Sequence, residues 1–163
     1  MIQTILWDID GTILNFHRSA ENSLKNTFKK FGYGEITDEL LHMYEGINDV
    51  YWCKLEKGEL TKEKLLVERF VDFFTKIGVE TTRVVEFNKA YLNGLLDTVV
   101  FMPEAYETVK KLHPEYKQYI VTNGVKELQR KKIAKAHIEE FFDGIFISDE
   151  IGYEKPHIEF FNY

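Results

Sequence analysis

The sequence has very little cysteine, which limits the kinds of site that it can build. Cys53 is the only cysteine in 163 residues, so neither a disulfide framework nor a thiolate metal centre is expected. We expect Cys53 to be a small apolar side chain, and the protein to work in a reducing, cytoplasmic setting. The histidines also lack the spacing of metal ligands. They are His17, His42, His113, His137 and His157.

Long apolar runs and an excess of basic residues are missing as well. No segment approaches the roughly 20 consecutive apolar residues that a membrane-spanning helix needs, and no targeting pattern opens the sequence. The net charge of −6 and the pI of about 5.4 argue against a nucleic-acid polymer or an anionic membrane as the partner. Because 44% of the residues are hydrophobic and 15% are aromatic, there is enough apolar material for a packed core.

Two aspartates follow the first apolar segment of the chain. Residues 5–9 are apolar and predict a buried strand, and Gly11 allows a sharp turn after it. Asp8 and Asp10 would then lie at the carboxyl end of that strand, where open α/β sheets bind their ligands. Because two neighbouring carboxylates repel each other, a cation or a proton on one of them is expected. Turn chemistry alone would explain Asp10 with Gly11, but it does not require Asp8.

A long helical block follows, from about residue 19 to residue 97. Its apolar residues recur at spacings of three and four, with no convincing strand pattern. Thr37 and Thr61 stand at helix-start positions, and a glycine ends each of the first three predicted helices. The fourth helix is expected to begin at Thr81 or Thr82. We therefore predict four amphipathic helices that pack as a small bundle.

Strands and helices alternate in the remainder of the chain. Tyr119–Thr122 and Ile145–Ser148 are predicted strands, and a lysine-rich helix is expected over residues 125–136, with its lysines on a solvated face. Pro103 is predicted to lie in the first turn of an earlier helix, and residues 157–161 begin a last one. Alternation of this kind implies parallel strands that are joined by right-handed crossovers.

Polar side chains recur just after three of the predicted strands. They are Asp8 and Asp10 after the first strand, Thr122, Asn123 and Gly124 at the end of the second, and Lys155 after the third. Each is weak evidence alone, because Thr-Asn-Gly is common in turns and Lys-Pro usually lies in a solvated loop. The carboxyl ends of parallel strands, however, would bring all three positions into one crevice.

These segments resemble the motifs of the haloacid dehalogenase superfamily, most of whose members are phosphatases. Asp-Ile-Asp-Gly-Thr at residues 8–12 is similar to the first motif, residues 119–124 to the second, and residues 152–156 to the third. The dehalogenase branch lacks the second aspartate, so Asp10 favours phosphate chemistry. The resemblance implies an α/β fold in which residues 1–16 and 98–163 form a partial Rossmann-like parallel sheet domain. A four-helix cap, residues 17–97, would be inserted after the first strand.

The resemblance also implies a mechanism and a metal. Asp8 would attack phosphorus to form an aspartyl-phosphate, while Asp10 would protonate the leaving group and later activate water. Mg²⁺ would bind the carboxylate of Asp8 and the backbone carbonyl of Asp10. Thr122 would hold a phosphoryl oxygen, and Lys155 would add positive charge that stabilises the transition state. Further substrate contacts are expected from Thr12, Asn123 and Gly124.

The predicted cap is similar to that of the bacterial pyrimidine 5′-nucleotidases. The likeness implies a nucleoside 5′-monophosphate as the substrate, with Trp52 or Tyr44 stacked on the base and Asn48 reading its edge. Aromatic side chains on a helix more often belong to the core, so a structural role for these rings is the alternative. The residues that carry the likeness are Tyr44, Asn48, Trp52, Gly58 and Thr61.

Other functions are compatible with the same motifs. A phosphosugar phosphatase or a β-phosphoglucomutase-like enzyme would share them all, and a non-catalytic phosphate-binding module is the alternative from another class. The superfamily's fourth motif, a Gly-Asp strand end with further acidic residues, does not follow Lys155 in this sequence. We therefore expect the sequence to be a C-terminally shortened form of a longer protein, with its first strand at a sheet edge.

Overall fold

A computed structural model describes residues 2–163 of the chain. Met1, which belongs to the sheet segment expected at residues 1–16, lies outside the described residues. The described residues form a mixed α/β structure with a three-stranded parallel sheet, which confirms the predicted fold class. The elements in chain order are β1 (Thr4–Trp7), α1 (Phe16–Phe31), α2 (Asp38–Glu56), α3 (Lys62–Ile77), α4 (Val84–Gly94), α5 (Ala105–Leu112), β2 (Lys117–Thr122), α6 (Lys126–Ala136), a 3₁₀ helix (Glu139–Phe141), β3 (Gly144–Ile147), α7 (Ser148–Ile151) and α8 (Ile158–Phe161).

The chain divides into two compact units. One unit, which we call the sheet unit, runs as far as Ala20 and resumes at Leu96, and it contains the three strands. The other, the helical unit, is Glu21–Leu95 and contains most of α1 together with α2, α3 and α4. No helix within residues 2–163 combines the length and the apolar character that crossing a membrane requires.

The central strand of the sheet is β2, with β1 on one side and β3 on the other. Trp7, the last residue of β1, pairs with Ile120, and the last residues of β2 and β3 pair with each other. Val109 of α5 and Ile133 of α6 are buried in one cluster with Ile120, so these helices cover the same face of the sheet. This arrangement brings the segments that follow β1 and β2 to the same edge.

The first strand is shorter and more exposed than the sequence predicts. The expectation of a buried strand over residues 5–9 is wrong, since β1 ends at Trp7 and Leu6 is 50% exposed. Trp7 packs on the buried cluster, and because side chains alternate along a strand, Leu6 lies on the opposite face. The edge position of β1 and the turn after it are confirmed, with Gly11 at a φ of +85°.

Two element boundaries also differ from the predictions. Pro103 lies outside the first turn of α5, because Glu104 has a φ of +62° that a right-handed helix does not allow. The helix α5 therefore begins at Ala105, one residue after Glu104. Ser148 begins α7 and does not end β3, because its carbonyl accepts a hydrogen bond from Gly152 N and so closes a helical turn.

The helix ends in the helical unit follow the predicted signals. Thr37 and Thr61 each cap a helix, and each side-chain hydroxyl accepts a hydrogen bond from the backbone N–H three residues later. Gly78 ends α3 in the left-handed conformation with a φ of +71°, which an L side chain rarely adopts. Cys53 is a free, exposed cysteine on α2, so it does not contribute to the core as a small apolar side chain would.

Aromatic rings fill the core of the helical unit. Phe70 is fully buried. Its ring centroid lies 5.1 Å from that of Tyr44, 5.0 Å from that of Phe87 and 5.2 Å from that of Tyr91. Tyr44 is itself only 3% exposed and stacks on Phe70 at an interplanar angle of 15°. Its ring therefore has the structural role that was the alternative to base stacking.

Replacing Phe70 with alanine should destabilise the helical unit by about 3–5 kcal/mol, because it removes buried aromatic contacts and leaves a cavity. Chemical denaturation followed by circular dichroism measures this change. Val85→Ala on α4 is the matched control, since Val85 is 68% exposed and its truncation should change stability by no more than about 0.5 kcal/mol. Equal losses in the two variants would contradict the assignment of Phe70 to the core.

Candidate active site

Asp8, at the carboxyl end of β1, contacts Lys155, which lies in the loop after α7. Asp8 is the first residue after β1. Lys155 Nζ lies 2.7 Å from Asp8 Oδ1 and also donates to the carbonyl oxygen of Val121 at 2.8 Å. The side chain of Asp8 remains 39% exposed. The ion pair therefore holds the carboxylate in place and still leaves it accessible to a ligand.

A reciprocal pair of hydrogen bonds fixes the backbone of Lys155. Asn123 Nδ2 donates to the Lys155 carbonyl oxygen at 2.9 Å, and Lys155 N donates to Asn123 Oδ1 at 2.7 Å. Asn123 directly follows β2, so the rigid sheet positions the lysine through this clamp. The structure thus brings Asn123, expected as a substrate contact, to a position that orients Lys155.

Two side chains of α6 contact Asp10. Gln129 Nε2 donates to Asp10 Oδ2 at 2.8 Å and lies 2.6 Å from Thr122 Oγ1. Lys132 Nζ lies 2.7 Å from Asp10 Oδ1. Both oxygens of the Asp10 carboxylate are therefore held by one helix, and Gln129 connects Asp10 to the hydroxyl of Thr122.

The expectation of a solvated lysine face on α6 is wrong for Lys132, whose side chain is only 4% exposed. Its ammonium group is buried because it pairs with Asp10. Sequence reasoning missed both Lys132 and Gln129. The signal that could have found them is their three-residue spacing, which places them on one side of a helix whose Ile133 and Ala136 are also buried.

Gly124 leaves the space that Gln129 occupies. A Cβ atom at Gly124 would lie 2.3–2.5 Å from the Cδ, Cγ and Nε2 atoms of the Gln129 side chain. A Cβ atom almost never makes a contact under 3.0 Å, so one of the two groups would have to move. Gly124 was expected as a substrate contact, and the structure gives it this further role in admitting Gln129.

An ion pair and a hydrogen bond hold α7, which precedes the Lys155 loop, against α6. Arg130 Nη2 lies 2.8 Å from Glu150 Oε2, and Asp149 Oδ2 accepts a hydrogen bond from Lys126 N at 3.0 Å. Hydrogen bonding to the Arg130 guanidinium holds the pKa of Glu150 below its ordinary value. The loop that carries Lys155 therefore begins from a fixed helix.

Of the remaining predicted site residues, one lies in the sheet unit and two in the helical unit. Thr12 is exposed in the turn after Asp10. Trp52 is partly buried on α2, and Asn48 is 7% exposed. Asn48 Oδ1 accepts a hydrogen bond from the buried Arg69 Nη1 at 2.7 Å. That contact fixes the orientation of the Asn48 amide.

The oxygen donors of the sheet unit suit a Mg²⁺ ion that keeps several water ligands better than one enclosed entirely by protein ligands. Within residues 2–163 no group of three or more His, Cys, Asp or Glu side chains could hold a metal. Mg²⁺ often binds through one or two carboxylates and keeps water or phosphate oxygens as its other ligands. Asp8 offers an accessible carboxylate, whereas both side-chain oxygens of Asp10 already accept from α6. Asp10 could therefore contribute its backbone carbonyl more readily than its side chain.

Comparison with known proteins identifies the relatives of this chain. The family model described as haloacid dehalogenase-like hydrolase matches residues 5–163. HAD-hydrolase YfnB of Bacillus subtilis is 29% identical over 161 residues, which cover 99% of this chain and 68% of YfnB. Pyrimidine 5′-nucleotidase YjjG of Escherichia coli is 26% identical over 159 residues, 98% of this chain and 68% of YjjG. Pyrophosphatase PpaX of Halalkalibacterium halodurans is 29% identical over 159 residues, 97% of this chain and 65% of PpaX.

The fold of YfnB agrees with this structure over almost the whole chain. A crystal structure of YfnB bound to magnesium superposes with a TM-score of 0.90, covering 99% of this chain and 70% of the YfnB chain. The chain thus spans about two thirds of the length of these relatives. Because the family model matches nearly all of its residues, the chain belongs to the haloacid dehalogenase-like hydrolases and is an enzyme of that family.

Proposed function

We propose that this hydrolase is a Mg²⁺-dependent phosphatase that cleaves phosphate monoesters through an aspartyl-phosphate, with a nucleoside 5′-monophosphate as its substrate. The observation that supports this most strongly is the contact between Lys155 Nζ and Asp8 Oδ1 at the strand ends. This contact places a cation beside an accessible carboxylate, next to the end of β2, where Thr122 carries a hydroxyl group. That combination suits a nucleophile facing a dianionic phosphoryl group.

The chemistry divides into two displacements at phosphorus. In the first, an oxygen of Asp8 forms a bond to phosphorus while the ester P–O bond breaks, and Asp10 donates a proton to the departing alkoxide. In the second, water attacks phosphorus, Asp10 takes the water proton, and the P–O bond to Asp8 breaks to release inorganic phosphate. Asp10 therefore starts the cycle protonated, gives this proton to the alkoxide and recovers one from the water. Its ionised form, which pairs with Lys132 in this structure, belongs between the two steps.

Positive charge must offset the repulsion between Asp8 and the phosphoryl oxygens. Lys155 supplies one charge from the protein, and Thr122 supplies a hydroxyl to a phosphoryl oxygen. The Asp8 carboxylate and the Asp10 backbone carbonyl would hold Mg²⁺, which would supply further positive charge to the transferring group. Thr12, Asn123 and Gly124 would supply further contacts around the phosphoryl group.

We assign the choice of leaving group to the helical unit, as a cap on the substrate. Asn48 Oδ1 already accepts a hydrogen bond from Arg69. The amide NH₂ group of Asn48 is therefore the one that would contact the substrate, as a donor to a carbonyl oxygen on a pyrimidine. Trp52 would stack on the base. The likeness to YjjG, which is named a pyrimidine 5′-nucleotidase, supports this assignment.

A panel of phosphate compounds tests the proposed function. Phosphate release is measured for nucleoside 5′-monophosphates, pyrophosphate and sugar phosphates, with Mg²⁺ and with a chelator. We expect the highest kcat/KM for pyrimidine nucleoside 5′-monophosphates, and no activity once the metal is removed. A preference for pyrophosphate or for sugar phosphates would contradict the proposed nucleotide substrate. The likeness to PpaX, which is named a pyrophosphatase, makes pyrophosphate the first alternative to test. The absence of phosphate release from every compound would overturn the phosphatase assignment.

A further inference from the structure

Both oxygens of the Asp10 carboxylate are contacted from α6, by Gln129 at 2.8 Å and by Lys132 at 2.7 Å. We propose that Gln129 and Lys132 are positioning residues, which hold the Asp10 carboxylate where it exchanges protons with the leaving group and with water. The inference rests on the proposed function, because it assigns to Asp10 the proton transfers of a phosphatase. It adds a pair of residues from a helix that carries none of the motif residues.

Helix geometry makes this pair suited to orient a carboxylate. Residues three apart on an α-helix lie on the same side and project in similar directions. Gln129 and Lys132 therefore approach Asp10 together and bind different oxygens, which restrains rotation of the carboxylate about its last bond. A single donor would leave that rotation free.

The burial of Lys132 shows that its contact with Asp10 is specific. An ammonium group in a side chain that is only 4% exposed is stable only when a charged partner compensates it. The Phe16 ring lies 5.2 Å from Lys132 Nζ and adds a second favourable contact. Lys131, the preceding residue on the same helix, is exposed. Adjacent residues of a helix point in different directions, and of these two it is Lys132 that contacts Asp10.

The buried position of the Gln129 side chain has an energetic cost. Its Oε1 atom is buried and has no hydrogen-bond partner among the described residues, which is unfavourable for a polar atom. Its Nε2 atom, by contrast, contacts both Asp10 Oδ2 and Thr122 Oγ1. The absence of a Cβ atom at Gly124 is what gives the side chain room to do so. The side chain of Gln129 thus lies where Nε2 makes two hydrogen-bonding contacts, although Oε1 has no hydrogen-bond partner among the described residues.

A comparison of leaving groups separates positioning of Asp10 from a general structural role. Proton donation matters for an alkoxide, as in a nucleoside 5′-monophosphate, and matters little for p-nitrophenolate, which departs without a proton. In Lys132→Met we expect kcat/KM, which reports the steps up to the departure of the leaving group, to fall about 10²-fold for the nucleotide and less than about 3-fold for p-nitrophenyl phosphate. Lys131→Met is the matched control on α6, and both of its rates should equal those of the wild type.

The outcomes distinguish the two proposals. Equal loss of kcat/KM on both substrates in Lys132→Met would overturn the positioning role and leave the phosphatase assignment intact. If the wild type releases phosphate from neither substrate, the proposed function fails and the inference fails with it. Gln129→Leu is the second variant, in case Lys132→Met does not fold, and it should show the same selective loss. Equal loss of kcat/KM on both substrates in a folded Gln129→Leu protein would also overturn the inference.

Discussion

Asp8→Asn should lower kcat for the best phosphate ester by at least about 10⁴-fold, since it removes the nucleophile and leaves a poorly reactive amide in its place. The fold should survive, because Asp8 is 39% exposed and a partly exposed ion pair contributes at most about 1 kcal/mol. Stopped assays of phosphate release, together with circular dichroism of the same sample, measure the two effects separately.

Asp97→Asn is a suitable control for the loss of a carboxylate, because Asp97 is exposed and lies at the start of the second segment of the sheet unit. We expect its kcat to match that of the wild type. A folded Asp8→Asn protein that keeps more than a few per cent of wild-type turnover would exclude Asp8 as the nucleophile, whatever else binds the phosphate.

Lys155→Met should lower kcat about 10²- to 10³-fold, the usual effect of removing one group that stabilises developing charge in the transition state. The lysine contacts Asp8 directly, and its backbone is clamped by Asn123, so the side chain is oriented before the substrate arrives. Steady-state kinetics with the preferred ester measures the loss.

Lys155→Arg retains the charge but changes its geometry, so we expect it to recover only part of the activity. Lys110→Met on α5 removes an exposed lysine outside the site and should have no effect on kcat. If Lys155→Met were as active as Lys110→Met, the ion pair with Asp8 would be a structural contact without a role in turnover.

Much of the fold could be predicted because its signals are local. Helix caps at Thr37 and Thr61, the glycine that ends α3, and the alternation of strands and helices each depend on neighbouring residues. The exposure of Leu6 could not be predicted in the same way. It depends on which elements cover each face of the sheet, and an apolar strand sequence is compatible with one covered face or with two.

The positions of the motif residues were also predictable, since they lie at the end of a strand or in the segment that comes after one. The residues of α6 were not. Five of the eleven residues of α6 are lysine or arginine, a composition typical of a solvated helix. Lys132 is buried only because Asp10, more than a hundred residues earlier, supplies its partner. A contact between such distant positions leaves no periodic pattern in either segment.

Direct detection of the phosphorylated aspartate is the most decisive measurement for this mechanism. The enzyme is mixed with a nucleoside 5′-monophosphate and Mg²⁺, quenched in acid within one turnover, and digested for peptide mass spectrometry. We expect one phosphoryl group per chain, carried by the peptide that contains Asp8 and absent from Asp8→Asn. Turnover of the substrate with no phosphoryl group on that peptide, or with the group on another residue, would contradict the proposed role of Asp8.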